Sequence, residues 1–315
     1  MLFRSCDPFQ LTLAGVEENT LFGPPPPGSL DAQNGNGACD SSSGALIGGD
    51  DSGWVAKTAA IAKCELSFID RQAIDLKKAE AQHGAYQQLL AQLGAMLIIL
   101  PAQPALPDSM FVEDPALVLD ELAVIFPLGA ESRRPEAASI ERALCTFRRI
   151  ARVELPGTVE GGDTLHVDRR IFVGQTRRTN AEGIRQLTAL LAPFRYEVIP
   201  VTVSGCLHLK SAVTYIGGDT LLANRGWFDT TPFSGFKWLD VDPAEPHAAN
   251  ALALGQSVIF PASFPRTRAR LEAAGFHVTP IDISELQKAE SGLTCSSLLF
   301  NAEVVVMEPK VVGMQ

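Results

Sequence analysis

A cysteine, a histidine and several carboxylates stand at corresponding places along this 315-residue chain: Glu113-Asp114, Glu160-Gly161-Gly162-Asp163, His208, Asn250 and Cys295 each come just before a pair of short apolar runs. Cys295, in Leu293-Thr294-Cys295-Ser296-Ser297, is a candidate nucleophile, and His208, in Cys206-Leu207-His208-Leu209-Lys210-Ser211, a candidate proton carrier. Taken singly, such a cysteine reads as a packing residue, such a histidine as a satisfied core group, and each acid as a loop charge or helix cap. Their equivalent placement argues for more. An amide hydrolase needs donors for a developing oxyanion, but Asp108, Glu113, Asp114, Glu160 and Asp163 are acceptors and suit a cation. A guanidinium, with several N–H donors in a planar fork, is the cation that pairs bidentately with carboxylates. Gly161-Gly162 predicts a tight turn with positive φ and a close backbone approach that carries a carboxylate inward.

The elements that must position these residues repeat. Strand-like stretches run into Pro101, Pro156, Pro200, Pro243 and Pro280, at intervals of 37 to 55 residues. After each proline come two apolar runs: 117–119 with 123–126, 164–167 with 171–173, 212–215 with 220–222, 251–254 with 257–260, and 297–300 with 304–306. Helical periodicity predicts helices over 76–93, 134–149, 180–191 and 265–274, with Asn180 and Ser263 as N-terminal signals and Gly94 and Gly275 as stops. The fourth unit is the shortest. Five units of helix, strand, loop, strand, turn and strand, each too small to bury its own apolar face, predict an α/β ring. The loops that carry the chemistry then face one end of a central channel.

Composition sets limits on this reading. Residues 1–56 are rich in Pro, Gly, Asn and Ser and carry seven acids against Arg4, so they hold −6 of the net charge of −10. They read as a flexible acidic extension, with the folded domain at 57–315. No basic run with interleaved aromatics points to nucleic acid or an anionic membrane surface, and no stretch approaches 18 apolar residues. Six widely spaced cysteines, with no Cys-x-x-Cys pair, read as reduced thiols in the cytoplasm.

Phe111-Val112-Glu113-Asp114, Gly129-Ala130-Glu131-Ser132-Arg133-Arg134, Val159-Glu160-Gly161-Gly162-Asp163, Arg177-Arg178-Thr179-Asn180, Leu207-His208-Leu209-Lys210-Ser211 and Gly292-Leu293-Thr294-Cys295 together resemble the dimethylarginine dimethylaminohydrolase family, over about residues 60–308. The resemblance implies the five-bladed α/β-propeller (pentein) fold of the guanidino-group-modifying superfamily. It implies hydrolysis of dimethylarginine and monomethylarginine to citrulline through a covalent cysteine adduct. Residue by residue, it makes Cys295 the nucleophile, His208 the general acid and base, and Glu160 the group that orients the histidine. Asp108, Glu113, Asp114 and Glu290 fall at substrate-binding positions, Arg133 and Arg178 at those that hold the amino-acid head, and Leu66 on the lid loop.

The resemblance implies no cofactor and no metal, and a small-molecule partner, with a homodimer as the assembly considered. Two other readings compete with it. One is hydrolysis of another guanidino compound such as arginine, although Lys210 stands where arginine deiminases carry an aspartate. The other is a noncatalytic pentein that binds a partner, which has no reason to keep Cys295, His208 and Glu160 together.

Overall fold

Apolar pairs separated by short turns fold as hairpins, and each hairpin then recruits a third strand from further along the chain. The computed structural model describes residues 61–301 and the backbone of residues 10–15. Strand β1 (Gln10–Gly15) lies between β2 (Met96–Leu100) and the last strand, β15 (Leu298–Asn301). The other four sheets are β3 (Ala116–Val118), β4 (Ala123–Ile125) and β5 (Ile150–Arg152); β6 (Thr164–Val167), β7 (Arg170–Gln175) and β8 (Glu197–Thr202); β9 (Val213–Tyr215), β10 (Thr220–Ala223) and β11 (Lys237–Asp240); and β12 (Leu252–Leu254), β13 (Ser257–Pro261) and β14 (His277–Ile281). In every sheet the middle strand is antiparallel to one neighbour and parallel to the other. These are the five blades of the α/β propeller.

The sheet is therefore not the sequence repeat. Four of the sheets take the hairpin of one repeat and the parallel strand of the next, a pairing that needs a long crossover connection, while in the fifth β1 joins β15 to β2. Three crossovers are helical: α2 (Ala137–Leu144), α3 (Ala181–Leu191) and α5 (Pro265–Ala273), while α1 (Leu76–Gln92) leads into β2. The short fourth unit has two 3-10 turns, Arg225–Trp227 and Thr231–Phe233, in place of a helix. The remaining short helices are α4 (Leu209–Ala212) and α6 (Ser284–Gln287).

Capping follows residue chemistry. Asn180 accepts from the Gly183 amide at 2.8 Å, as its side chain predicts. Ser263 does not cap α5; its hydroxyl donates to Gln287, and the amides of Arg266 and Thr267 are satisfied instead by the distant Glu245 carboxylate. The helix expected from residue 134 begins later because Pro135 disfavours the α conformation of Arg134 before it, and 131–136 form a 3-10 turn.

Two prolines read as strand ends lie inside strands, Pro200 in β8 and Pro280 in β14. Both are edge strands, where a missing N–H need not break the ladder. Part of the expected N-terminal extension also differs: residues 10–15 form a central strand, because β2 and β15 would otherwise leave facing edges unpaired. The rest of residues 1–56, and the strand expected at 304–306, lie outside the described residues.

The core is shared between neighbouring sheets. Leu117 and Val124 of one pack with Ile171 and Val173 of the next, beneath Ile184, Leu187 and Leu191 of α3. Truncating a fully buried leucine such as Leu187 to alanine in this setting costs about 2–5 kcal/mol. With the apolar groups between blades, the polar ones are left at the starts of the hairpins. Asp114, Asp163, His208, Asn250 and Cys295 immediately precede β3, β6, α4–β9, β12 and β15.

Candidate active site

Glu160, extended at φ −118°, precedes a one-turn 3-10 helix, Gly161–Asp163, that points the chain inward. Neither glycine has positive φ, contrary to expectation; what they supply is clearance. A Cβ at Gly161 would lie 2.0 Å from the Glu113 carbonyl, and one at Gly162 would lie 2.5 Å from His208 Nδ1. Only glycine lets the segment approach this closely.

The Glu160 carboxylate is fully buried, and Oε2 meets His208 Nε2 at 2.7 Å. Oε1 accepts from the Gly129 amide at 3.1 Å and from Arg178 Nη1 at 3.4 Å. Burial alone would raise this carboxyl, but the His208 bond and the guanidinium groups of Arg133 and Arg178 hold it down at about 2. Burial alone would likewise lower His208, and Asp114, Glu160 and Asp163 together overcome it, raising the imidazole to about 9. At neutral pH the pair is carboxylate and imidazolium. Behind it, Asp163 accepts from Thr176 Oγ1, Thr179 Oγ1 and the Leu209 amide, at 2.7, 2.7 and 2.9 Å. Burial pushes that carboxyl up only to about 6, so it too is charged at neutral pH.

Cys295 lies across the cavity on the 3-10 turn Thr294–Ser296. Burial, with Glu113 and Asp114 nearby, pushes its thiol up to about 12, against small opposing effects of the Gly292 amide and Lys210. His208, Cys295, Asp108, Asp114, Arg133, Arg178 and Glu290 all line one cavity of about 20 Å³, room for roughly one water. Seven of the ten residues singled out in the sequence are thus brought together there. Glu160 stands behind His208. Glu113 is paired away from the cavity with Lys210 Nζ and Thr294 Oγ1. Leu66 packs on the apolar cluster around α1.

The arginines differ. Arg133 is buried and bonds Asp114 through Nη1 at 2.8 Å, and Glu136 through Nε and Nη2 at 3.2 and 2.9 Å. Arg178 reaches Glu160 on one side and the loop residues Ser67 and Glu65 on the other, at 3.2 and 3.7 Å. The 65–69 loop is held elsewhere as well. The Glu290 carboxylate accepts from the amides of Ser67, Phe68 and Ile69, and Asp108 accepts from that of Glu65. Asp114, Glu160 and His208 place ligand-type atoms within 4.8 Å of one another, a spacing that could hold a metal ion. Arg133 bonds the first and stands 4.0 Å from the second, so a guanidinium already supplies the cationic charge there.

A family model described as "N,N dimethylarginine dimethylhydrolase, eukaryotic" matches residues 53–227. The N(G),N(G)-dimethylarginine dimethylaminohydrolase of Pseudomonas aeruginosa is 38% identical over 228 residues, covering 72% of this chain and 90% of that protein. The chain belongs to the dimethylarginine dimethylaminohydrolase family. The Streptomyces coelicolor member is 36% identical over 234 residues, 74% of this chain and 90% of its own length. Among solved structures, a cysteine-to-serine variant of the Pseudomonas aeruginosa member complexed with citrulline superposes with a TM-score of 0.73 at 35% identity, covering 76% of this chain and 95% of that one. The N-terminal domain of ArgZ, a cyanobacterial arginine dihydrolase, has a TM-score of 0.67 at 19% identity, covers 73% of this chain and 89% of its own, and shares the fold.

Sequence reasoning missed Glu65, Phe111, Leu207, Ala289 and Ser291 as lining residues. Each is adjacent in sequence to, or within three residues of, a position that was singled out, and that nearness was the only available signal. Phe111 has a clear role: its ring lies 5.8 Å from the Arg133 guanidinium carbon and walls the cavity.

Proposed function

We propose that this chain hydrolyses dimethylarginine and monomethylarginine to citrulline and dimethylamine or methylamine, with Cys295 as nucleophile and His208 as the proton carrier. The observation that carries the reading is the meeting of Cys295, an imidazolium buttressed by Glu160, and Asp114 in one small acidic cavity. Substrate entry requires residues 65–69 to move, since dimethylarginine is far larger than the closed space.

At rest the thiol is neutral. A guanidinium docked on Asp114 brings positive charge beside Cys295, offsets the acids that hold the thiol up, and favours loss of its proton to solvent. The thiolate then bonds to the guanidinium carbon. The bond from that carbon to the methylated nitrogen breaks, and His208 gives its proton to the departing amine, leaving a thiouronium on Cys295. Neutral His208 takes a proton from water as the water oxygen bonds to the same carbon. Cleavage of the carbon–sulfur bond releases citrulline. General acid–base help of this kind contributes about 10²–10⁴-fold.

Arg178, freed from Ser67 and Glu65 when the lid opens, has donors for the substrate carboxylate, with Arg133 behind it. Asp108 and Glu290 are then available to the amino-acid head. A cytoplasmic location belongs to the same reading and is supported by the free thiols of Cys64, Cys206 and Cys295. No helix among the described residues is long and apolar enough to cross a membrane. A homodimer is a further part of the proposal, as is the division of the chain near residue 56 apart from the strand at 10–15.

Citrulline formation from a panel of dimethyl-, monomethyl- and unmethylated arginine tests the function. Turnover confined to the methylated compounds is expected, and turnover of arginine alone would overturn the assignment.

A further inference from the structure

Asn250 holds the one hairpin-start position that the chemistry above does not use, yet its side chain makes four hydrogen bonds, the most an amide of this kind ordinarily supports. Its Oδ1 accepts from the amides of Leu293 and Thr294 at 2.7 and 3.2 Å. Its Nδ2 donates to the Lys210 carbonyl at 3.0 Å and to Thr294 Oγ1 at 3.1 Å. The Thr294 hydroxyl in turn donates to Glu113 Oε2 at 2.8 Å, and Glu113 Oε1 pairs with Lys210 Nζ. The circuit closes on itself. It joins Glu113 before β3, Lys210 two residues after His208, Asn250 before β12, and Thr294 immediately before Cys295.

Tyr86 Oη also reaches the turn, meeting the Leu293 carbonyl at 2.9 Å and Ser297 Oγ at 2.8 Å. Besides this circuit, the Cys295 carbonyl accepts from the Glu113 amide at 3.3 Å, and Sγ accepts from the Gly292 amide at 3.4 Å. Gly292 belongs to the same device, because a Cβ there would lie 2.4 Å from the Asn250 amide. We propose that Asn250 is a positioning residue, closing a four-membered hydrogen-bonded ring that fixes the Cys295 turn relative to the His208 segment. The inference rests on the hydrolase reading above for its kinetic consequence, and on the hydrogen bonds alone for its structural one. Reacting groups displaced by about 1 Å lose on the order of 10²-fold in rate. Asn250 is absent from the cavity lining, so ground-state substrate binding is spared.

The test uses the full-length protein and the variants Asn250→Asp, Asn250→Ala, Thr294→Val and Asn250→Asp/Thr294→Val. Asn250→Asp keeps the acceptor for both amides but loses the two donations. Its kcat for dimethylarginine is expected to fall about 10²-fold with KM within threefold of wild type. Hydrogen exchange at the amides of Leu293 and Thr294 should stay protected in this variant and lose at least about tenfold protection in Asn250→Ala, with β13 unchanged. Because Asp and Val cut the same ring, the double variant should be little worse than the poorer single one.

A kcat within threefold of wild type in Asn250→Asp, a loss confined to KM, or single losses that multiply in the double variant would each overturn the proposal. If neither Asn250 variant folds, Thr294→Val alone carries the kcat-against-KM comparison. Exchange needs no substrate. A wild type without turnover would therefore break the hydrolase reading, while exchange at 293 and 294 would still judge the ring.

Discussion

His208 and Glu160 stand just ahead of a short helix and a 3-10 turn, backed by the carboxylate of Asp163 and two guanidinium groups, whereas Cys295 sits within a 3-10 turn held mainly by side chains from other blades. The two regions also differ in charge at rest. On the histidine side, every buried charge has a partner within hydrogen-bond reach, so the ion pair persists at neutral pH. On the cysteine side, the nearest charges are mostly acids and the thiol stays protonated. One half is therefore complete before substrate arrives, and the other waits for a cation. In the proposed mechanism such an arrangement limits wasteful reaction of the thiol, because the thiolate forms when a guanidinium docks.

The contrast is broken most severely at the nucleophile. Cys295→Ser should abolish citrulline formation, by at least about 10³-fold, while leaving the melting temperature and substrate binding close to wild type, because the hydroxyl is a far weaker nucleophile of similar volume. Turnover retained by the purified variant would remove Cys295 from its role.

Glu160→Gln tests the resting charge of the other half. Loss of the carboxylate should lower kcat by roughly 10²-fold, since His208 no longer holds its proton as firmly for the leaving amine. Its pH signature has a defined sign. His208 is raised from 6.5 to about 9, so the stability it contributes is fully present below 6.5 and is lost as pH rises through 9. Glu160 is lowered from 4.5 to about 2, so its contribution is present above 4.5 and lost as pH falls toward 2. In the variant, the fall in melting temperature between pH 6.5 and 9 should flatten. An unchanged pH profile would show that the ion pair does not form at rest.

The smallest expected effect lies between the halves, at Arg178. Arg178→Ala should raise KM for dimethylarginine by about tenfold or more, and change KM for a decarboxylated methylguanidine far less, because only the former offers a carboxylate to the arginine. Equal losses on the two compounds would assign Arg178 to support of Glu160 and the 65–69 loop. Arg133 is the poorer probe, since its removal strands Asp114 and Glu136 as buried charges at a cost of about 3–5 kcal/mol in stability.

Much of this was legible along the chain because hairpins are local. Paired apolar runs and the polar residue before each appear in sequence order, and the hairpins at 116–125, 164–175, 213–223 and 252–261 form where the runs stand. The types of Cys295, His208 and the surrounding acids likewise restricted the chemistry to a cation. Interactions between distant segments were not legible. That Pro200 and Pro280 lie within strands depends on those strands being at sheet edges, and that residues 10–15 form a strand depends on the gap between β2 and β15. Tertiary packing alone set His208 against Glu160, turned Glu290 onto three amides of the 65–69 loop, and gave Asn250 its four partners from Lys210, Leu293 and Thr294. Residue type and local periodicity are written in the order of the chain, whereas a hydrogen bond between residues 40 or more positions apart exists only once the blades have closed into a ring.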